Sequence, residues 1–544
     1  MLRKTMPPHR TAGRSHAFWP HLALSISAIL LLSAMATPSF AGLSVQLEID
    51  ASRRWPISPY IYGTNQPNWQ QGPLFTLARW GGNRITAYNW ENNAANAGAE
   101  GNHQNFGYLG FSDAPGEAVR RLVDQAFAAG ASVLVTVPML GYVARDKLGD
   151  GDVAKTSNYL LKRFCLSLPR KGRHFDLQPD RYDNRVYQDE FVNWLETTFP
   201  QARHAPARTI FYALDNKPDL WSSTHARLHP EKTRYDEVVR LGIAYAAAIK
   251  TVAPRALVFG PVTCNWEGFD TLRDAPDARG RDFLDFYLQE MHEAQQQSGR
   301  RLLDVLDLHW YPEAQGGGVR ITEDDARPLV AAARAQAPRS LWDRSYLEDS
   351  VTARSRTRGP IRLLPRMQEK IARHYRGTRL ALSEYYYGGG GDISGALAQA
   401  DVLGIFGREG VFAAALWHMG NSDDRFIHAA FAMFRNYDGR GGAFGSVGLT
   451  ARTNDVERTS VYASLDGQQR VVLVVLNKGP SPLSVEIAVK HGPPSTQAEV
   501  YQLTAGRPQP VRINDLSVDP SGVLNCQLPG QSVSTLVLMP LRPR

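Results

Sequence analysis

The sequence predicts an α/β chain: a (β/α)8 TIM barrel with an accessory antiparallel β-sandwich formed by the N-terminal strand and the C-terminal region. Three observations carry this. Eight short apolar runs alternate with longer polar segments of helical spacing over about 380 residues, which is the text of repeated βα units. No glycine-rich phosphate turn follows the first run, which speaks against a doubly wound sheet. After about residue 440 the pattern changes to short runs separated by Gly, Pro, Asn and Asp, at spacings typical of a sandwich.

The first 41 residues carry Arg3, Lys4, Arg10 and Arg14 without an acid, an apolar segment around Leu22 to Leu32, and small residues up to Ala41. They read as a secretory signal peptide cleaved after Ala41, because the apolar run falls short of the about 18 residues of a membrane span. A secreted or periplasmic location follows. Residues 42–55 then form a strand, with Leu43 to Ile49 alternating apolar and polar, that joins the sandwich.

Residues 56–440 hold the barrel. Its strands are expected at Tyr60 to Thr64, Phe75 to Gly81, Ser132 to Pro138, Thr209 to Leu214, Ala256 to Val262, Val305 to Trp310, Leu380 to Glu384 and Val411 to Trp417. Helical spacing between them is clearest at Glu117 to Val123 and Val238 to Ala244. Residues 441–544 form the sandwich, with runs at Val461 to Leu465, Val471 to Leu476, Leu483 to Val489, Glu499 to Leu503 and Ser532 to Met539.

Composition narrows the partners. Of 544 residues, 43% are hydrophobic and 21% charged, an ordinary globular balance. Leader removal takes four positive charges from the formal net charge of +8 and leaves +4, and no basic run is interleaved with aromatics. Nucleic-acid binding therefore lacks support. Cys165, Cys264 and Cys526 are odd in number and far apart, so they imply no disulfide framework, although one bridge stays open.

Two strand mouths carry chemistry. Leu380 to Gly391, LALSEYYYGGGG, places Glu384 where a retaining glycosidase holds its nucleophile, about 5 Å from a second carboxyl that donates and then accepts a proton. In barrel glycosidases that second carboxyl comes from an Asn-Glu-Pro at another strand end. Thr209 to Trp221, TIFYALDNKPDLW, has Asn216-Lys217-Pro218 instead. Aromatic residues add a sugar-binding signal: Trp80, Trp90, Trp221, Trp266, Trp310 and Trp417 all fall at or just beyond expected strand ends, where ring faces suit the C–H faces of sugars. No Trp follows Trp417, so the sandwich reads as scaffold.

A series of blocks between about residues 57 and 420 resembles glycoside hydrolase family 44, endo-acting β-glucanases that cleave cellulose-like and xyloglucan chains. They are ISPYIYGTNQ from Ile57, ARWGGNRITAYNWENNAANAG from Ala78, FYALDN from Phe211, DVLDLHWYPEA from Asp304, SLWDRSYLEDS from Ser340, and ALSEYYYGGG followed by AQADVLGIFGREGVFAAALW. The resemblance implies that Glu384 matches the nucleophile and that Lys217 replaces the acid/base glutamate. It also implies a cleft lined by Arg79, Asn83, Asn89, Trp90, Glu91, Asn216, His309 and Tyr311, with Trp221, Trp310, Tyr386 and Trp417 as further substrate-binding candidates. No cofactor is required. A structural calcium ion occurs in the family, but no ligand loop is readable here and the metal stays unassigned. The expected partner is a β-glucan polysaccharide bound by a monomer, with no nucleic acid and no membrane span left after the leader.

Lysine starts from a pKa of about 10.4 and a neighbouring carboxylate favours its charged form, so the expectation is Lys217⁺ paired with Glu384⁻. Such an ammonium has no lone pair to activate water. Three outcomes are therefore open: hydrolysis through a substitute acid such as Asp219 or Glu91, glucan binding on a scaffold that has lost turnover, or glycosyl transfer from activated donors.

Overall fold

In a computed structural model of the chain, residues 44–107, 112–203, 205–418 and 423–541 are described. The signal-peptide expectation lies outside them. The described residues from Ser44 onward belong to one compact unit.

Eight parallel strands close a barrel in the chain order Gly63–Thr64, Leu77–Trp80, Ser132–Val137, Ile210–Leu214, Val258–Cys264, Val305–Trp310, Arg379–Tyr385 and Ala413–Leu416. Each expected run overlaps one of them; Val258–Cys264 runs two residues past the expected end, and Arg379–Tyr385 one residue past the expected run at each end. Leu77, Leu134, Phe211, Ala213, Phe259, Val262, Val305, Ala381 and Ala413 form a packed interior cluster, as a barrel of this size must fill its centre with side chains. The helices Glu117–Ala128 and Tyr235–Val252 confirm the two clearest helical spacings and pack their apolar faces on the barrel wall.

The accessory part is one ten-stranded sheet. Most of its pairs are antiparallel, but Val45–Pro56 also pairs in parallel with Leu483–Lys490, a departure from the fully antiparallel expectation. Strands Val447–Thr453, Arg507–Arg512, Leu516–Ser517 and Val523–Leu528 were not expected from sequence. Two of them are the sheet's edges, and Arg507–Arg512 carries Pro508 and Pro510, residues that edge strands tolerate and that hide a strand from pattern reading.

Strand Val471–Asn477 explains how the two parts meet. Val471, Leu473 and Val475 face the interior of the sheet, whereas Val472, Val474 and Leu476 join the main core with the barrel helices. A strand buried on both faces reads as a continuous apolar run. Against it lies the helix Ile393–Arg408, capped by Asp392 and buried from Ile393 to Gly407. Gly404 permits this approach: a Cβ there would lie 2.2 Å from the Tyr462 ring. At the same contact the Tyr462 hydroxyl donates to Asp401 at 2.6 Å, and Lys478 Nζ lies 2.8 Å from Asp401 with both side chains 1% exposed.

All three cysteines are free thiols. No helix among the described residues is long and apolar enough to cross a membrane.

Candidate active site

In the barrel wall, strand Arg379–Tyr385 runs parallel to Val305–Trp310 in a register that pairs His309 with Glu384. Paired residues of neighbouring parallel strands project to the same face, so both reach the barrel mouth. Glu384 is fully buried there. Its Oε1 accepts from Arg79 Nη1 at 2.7 Å, and its Oε2 accepts from the Tyr311 hydroxyl at 2.8 Å. Lys217 Nζ stands 2.8 Å and His309 Nδ1 3.1 Å from the same Oε2.

Arg79, at the end of Leu77–Trp80, is fixed by two amide side chains: Nη1 donates to Asn65 Oδ1 at 3.0 Å and Nη2 to Asn216 Oδ1 at 2.9 Å. Asn216 Nδ2 donates in turn to Asn83, and Asn83 Nδ2 to the exposed Glu100. Of the sequence-predicted residues, Arg79, Asn83, Asn216, Lys217, His309, Tyr311 and Glu384 therefore form one network.

Lys217 owes its direction to an unusual turn. Asp215 and Lys217 both adopt left-handed backbone, with φ of 60° and 46°. A residue with a Cβ holds such a conformation only where its surroundings over-determine it. Here the buried Asp215 carboxylate accepts from the amides of Met139, Leu140 and Asn216 and from the Thr86 hydroxyl, while Lys217 N donates to Val262 O at 2.9 Å. Pro218 then opens a short helical turn, Pro218–Leu220. The side chain is turned inward, 17% exposed, with Nζ 5.3 Å from the Tyr311 ring centre.

Burial pulls the Lys217 amine down, but the Glu384 carboxylate overrides it and holds the amine above its ordinary value. Burial likewise acts to raise Glu384, and the positive charge of Lys217 and Arg79 with the imidazole of His309 holds it well below the usual carboxylate range. His309 itself is pushed down to about 3 by burial and is neutral, with Nε2 against Ser383 Oγ at 3.0 Å. At neutral pH the centre is one carboxylate between two cations. The amine touches the carboxylate, so the gap of about 5 Å that lets a retaining pair straddle a glycosidic bond is closed.

The other expected residues lie elsewhere. Trp90 is 1% exposed, stacked on Phe191 and packed on Trp194. Trp221 is enclosed beside His229, and Trp310 is stacked on Phe269. Trp80 and Trp266 are buried against Tyr88 and Phe269. These indoles plug the barrel top, because each strand-end ring meets a helix or loop covering the mouth, and they offer no free face to a sugar. Tyr386 is buried as well. Trp417 alone of this aromatic set is half-exposed; its indole lies over Gly82, whose φ of 88° and missing Cβ make room for it. Asn89 ties the loop by donating to Ala144 O. Glu91 is 3% exposed, and burial with the nearby Asp183 and Glu190 pushes its carboxyl up to about 8. Asp219 is enclosed, paired with Arg273 Nε at 2.9 Å and accepting from Cys264 N at 3.1 Å.

Sequence reasoning passed over Asn65, Asn265 and Cys264. Asn65 directly follows the two-residue first strand, and its place at a strand end within ISPYIYGTNQ was the available signal. Asn265 braces Tyr311 by exchanging hydrogen bonds with its backbone. Burial pushes the Cys264 thiol up to about 12. Among the described residues no three His, Cys, Asp or Glu side chains converge as metal ligands.

A closed βα barrel carrying a buried, Arg-bound carboxylate at a strand end is an enzyme scaffold that glycoside hydrolases share with other barrel proteins. The comparisons make this specific. The sequence profile of glycoside hydrolase family 44 matches residues 94–314. Endoglucanase A of Paenibacillus lautus is 41% identical over 478 residues, covering 84% of this chain and 67% of that protein. The β-mannanase/endoglucanase A of Caldicellulosiruptor saccharolyticus is 38% identical over 507 residues, and the chain spans 37% of its length and is itself covered to 88%. The structure of a family 44 xyloglucanase from Paenibacillus polymyxa superimposes with a TM-score of 0.86 at 37% identity, covering 91% of this chain and 99% of that one. The chain belongs to glycoside hydrolase family 44.

Proposed function

We propose that this is a secreted family 44 protein directed at β-1,4-glucan and xyloglucan that holds its polysaccharide without efficient turnover. The names of its relatives, endoglucanase and xyloglucanase, support the substrate class. The leader read in residues 1–41 supports secretion, and a polymeric substrate outside the cell fits it.

One observation carries the loss of turnover: Lys217 Nζ lies 2.8 Å from Glu384 Oε2. In the retaining mechanism assigned to this pair of positions, Glu384 attacks the anomeric carbon and the partner protonates the leaving oxygen, then deprotonates water. The ammonium ties up the attacking oxygen and has nothing with which to accept a proton. Loss of general acid/base assistance costs about 10²- to 10⁴-fold in rate. The ion pair of Asp219 with Arg273 and the enclosure of Glu91 weigh against a substitute acid.

Purified protein is expected to be retained by xyloglucan in affinity electrophoresis while releasing no measurable reducing ends from xyloglucan or carboxymethylcellulose. Lys217→Glu is expected to gain hydrolysis by about 10²- to 10⁴-fold. Reducing ends released by the unaltered protein at a rate near that of the variant would overturn the reading.

A further inference from the structure

The hydrogen-bonded line that starts at Glu384 does not end inside the barrel. It passes through Arg79 and Asn216 to Asn83, and Asn83 Nδ2 donates to Glu100 Oε1 at 2.7 Å. Asn83 is buried and Glu100 exposed, so the line reaches solvent at this carboxylate. Among the described residues the contact with Asn83 is the only hydrogen bond that the Glu100 side chain makes, and no cation is paired with it.

A surface glutamate ordinarily keeps its rotamer freedom. This one is held at both levels, backbone and side chain. Glu100 sits in the turn Gly98–Gly101, between the short strands Ala94–Asn96 and Asn105–Gly107 that pair antiparallel. The buried Asn96 ties both sides of the turn: its Oδ1 accepts from Gly98 N at 2.8 Å, and its Nδ2 donates to His103 O at 3.1 Å and to Asn105 Oδ1 at 2.8 Å. Gly98 lets the turn press on the neighbouring loop, because its φ is 61° and a Cβ there would lie 1.9 Å from Thr224 O. Asn83 then orients one carboxylate oxygen and leaves the other for a donor from outside.

Asn83 follows Gly82, and the half-exposed Trp417 indole lies over Gly82. A fixed carboxylate and an aromatic ring thus meet consecutive residues of the rim, on the line that leads to Glu384. An ionised carboxylate only accepts hydrogen bonds, and those it takes from hydroxyls are of the stronger, charge-assisted kind. An indole beside it suits a C–H face. We propose that Glu100 is a specificity-determining substrate contact, whose carboxylate accepts from ring hydroxyls of a glucosyl unit packed beside Trp417. The proposal rests on the glucan class given above and is independent of what Lys217 does to turnover.

Titration calorimetry with cellohexaose is expected to show affinity lowered at least about tenfold in Glu100→Gln, which keeps an oxygen for Asn83 and removes the charge. Unchanged affinity in a variant that melts like the parent overturns the contact. A bracing role through Asn83 and Asn216 is separated by kinetics in Lys217→Glu: adding Glu100→Gln is expected to raise KM at least about tenfold with kcat unchanged. A fall in kcat at unchanged KM overturns the contact in favour of bracing. Hydrogen exchange on the unaltered chain removes dependence on the variants' folding, since cellohexaose is expected to protect the turn Gly98–Gly101 together with the mouth. Protection of the mouth without the turn sinks the Glu100 contact alone, and binding nowhere sinks the glucan class with it.

Discussion

Replacing Lys217 by glutamate reverses a charge 2.8 Å from Glu384 and shortens the side chain, which reopens space between the two groups. Two neighbouring carboxyls cannot both ionise easily, so one pKa rises toward neutrality and the rate–pH profile of the variant should be bell-shaped. A monotonic profile would show that the introduced group does not act as acid. The parent's ion pair also has a pH window. The raised Lys217 stabilises the fold at pH below about 10.5 and loses this as pH rises through its folded value; the lowered Glu384 stabilises it above about 4.5 and loses this as pH falls through its own. Melting temperatures of Lys217→Met should therefore fall below the parent's between those limits, with the difference narrowing outside them. Both residues were legible in sequence because an apolar run ending in a turn marks a strand mouth. The aromatic set was not: a Trp at a strand end reads the same whether its ring meets a sugar or, as for Trp90 and Phe191, another ring.

Helix Ile393–Arg408 joins the reacting end of the molecule to its scaffold, and its sequence is rich in Ala and Gly. Buried on nearly every side, it has no amphipathic period to read. Its one charged pair with the sheet, Asp401 with Lys478, is desolvated, so removing either partner strands the other. Asp401→Asn is expected to cost about 3–5 kcal/mol, measured by denaturant titration, while replacing both partners by apolar side chains, Asp401→Leu with Lys478→Met, recovers most of it. If the single change costs less than about 1 kcal/mol, the pair is hydrated and does not brace the helix.

At the scale of the molecule, the barrel strands could be counted from sequence because parallel strands in a barrel are uniformly apolar, whereas four strands of the sheet escaped because their outer faces are polar or proline-bearing. The boundary expected at residue 440 marks a change of texture in the chain. The packing does not part there. Val472, Val474, Leu476, Leu503 and Val537 of the sheet share the main core with the helices that cover the barrel, and the first strand enters the sheet before the barrel has begun. Cutting the chain after residue 440 would bare the outer faces of helices Ile393–Arg408 and Arg425–Arg435 and leave Val45–Pro56 with neither neighbour. An exposed apolar surface of that kind drives association rather than folding. The truncated chain is therefore expected to be insoluble or to lack a cooperative transition, and the chain from residue 44 onward to unfold in one calorimetric step. Two resolved transitions, or a soluble truncated barrel with native near-ultraviolet dichroism, would show that the shared core is dispensable.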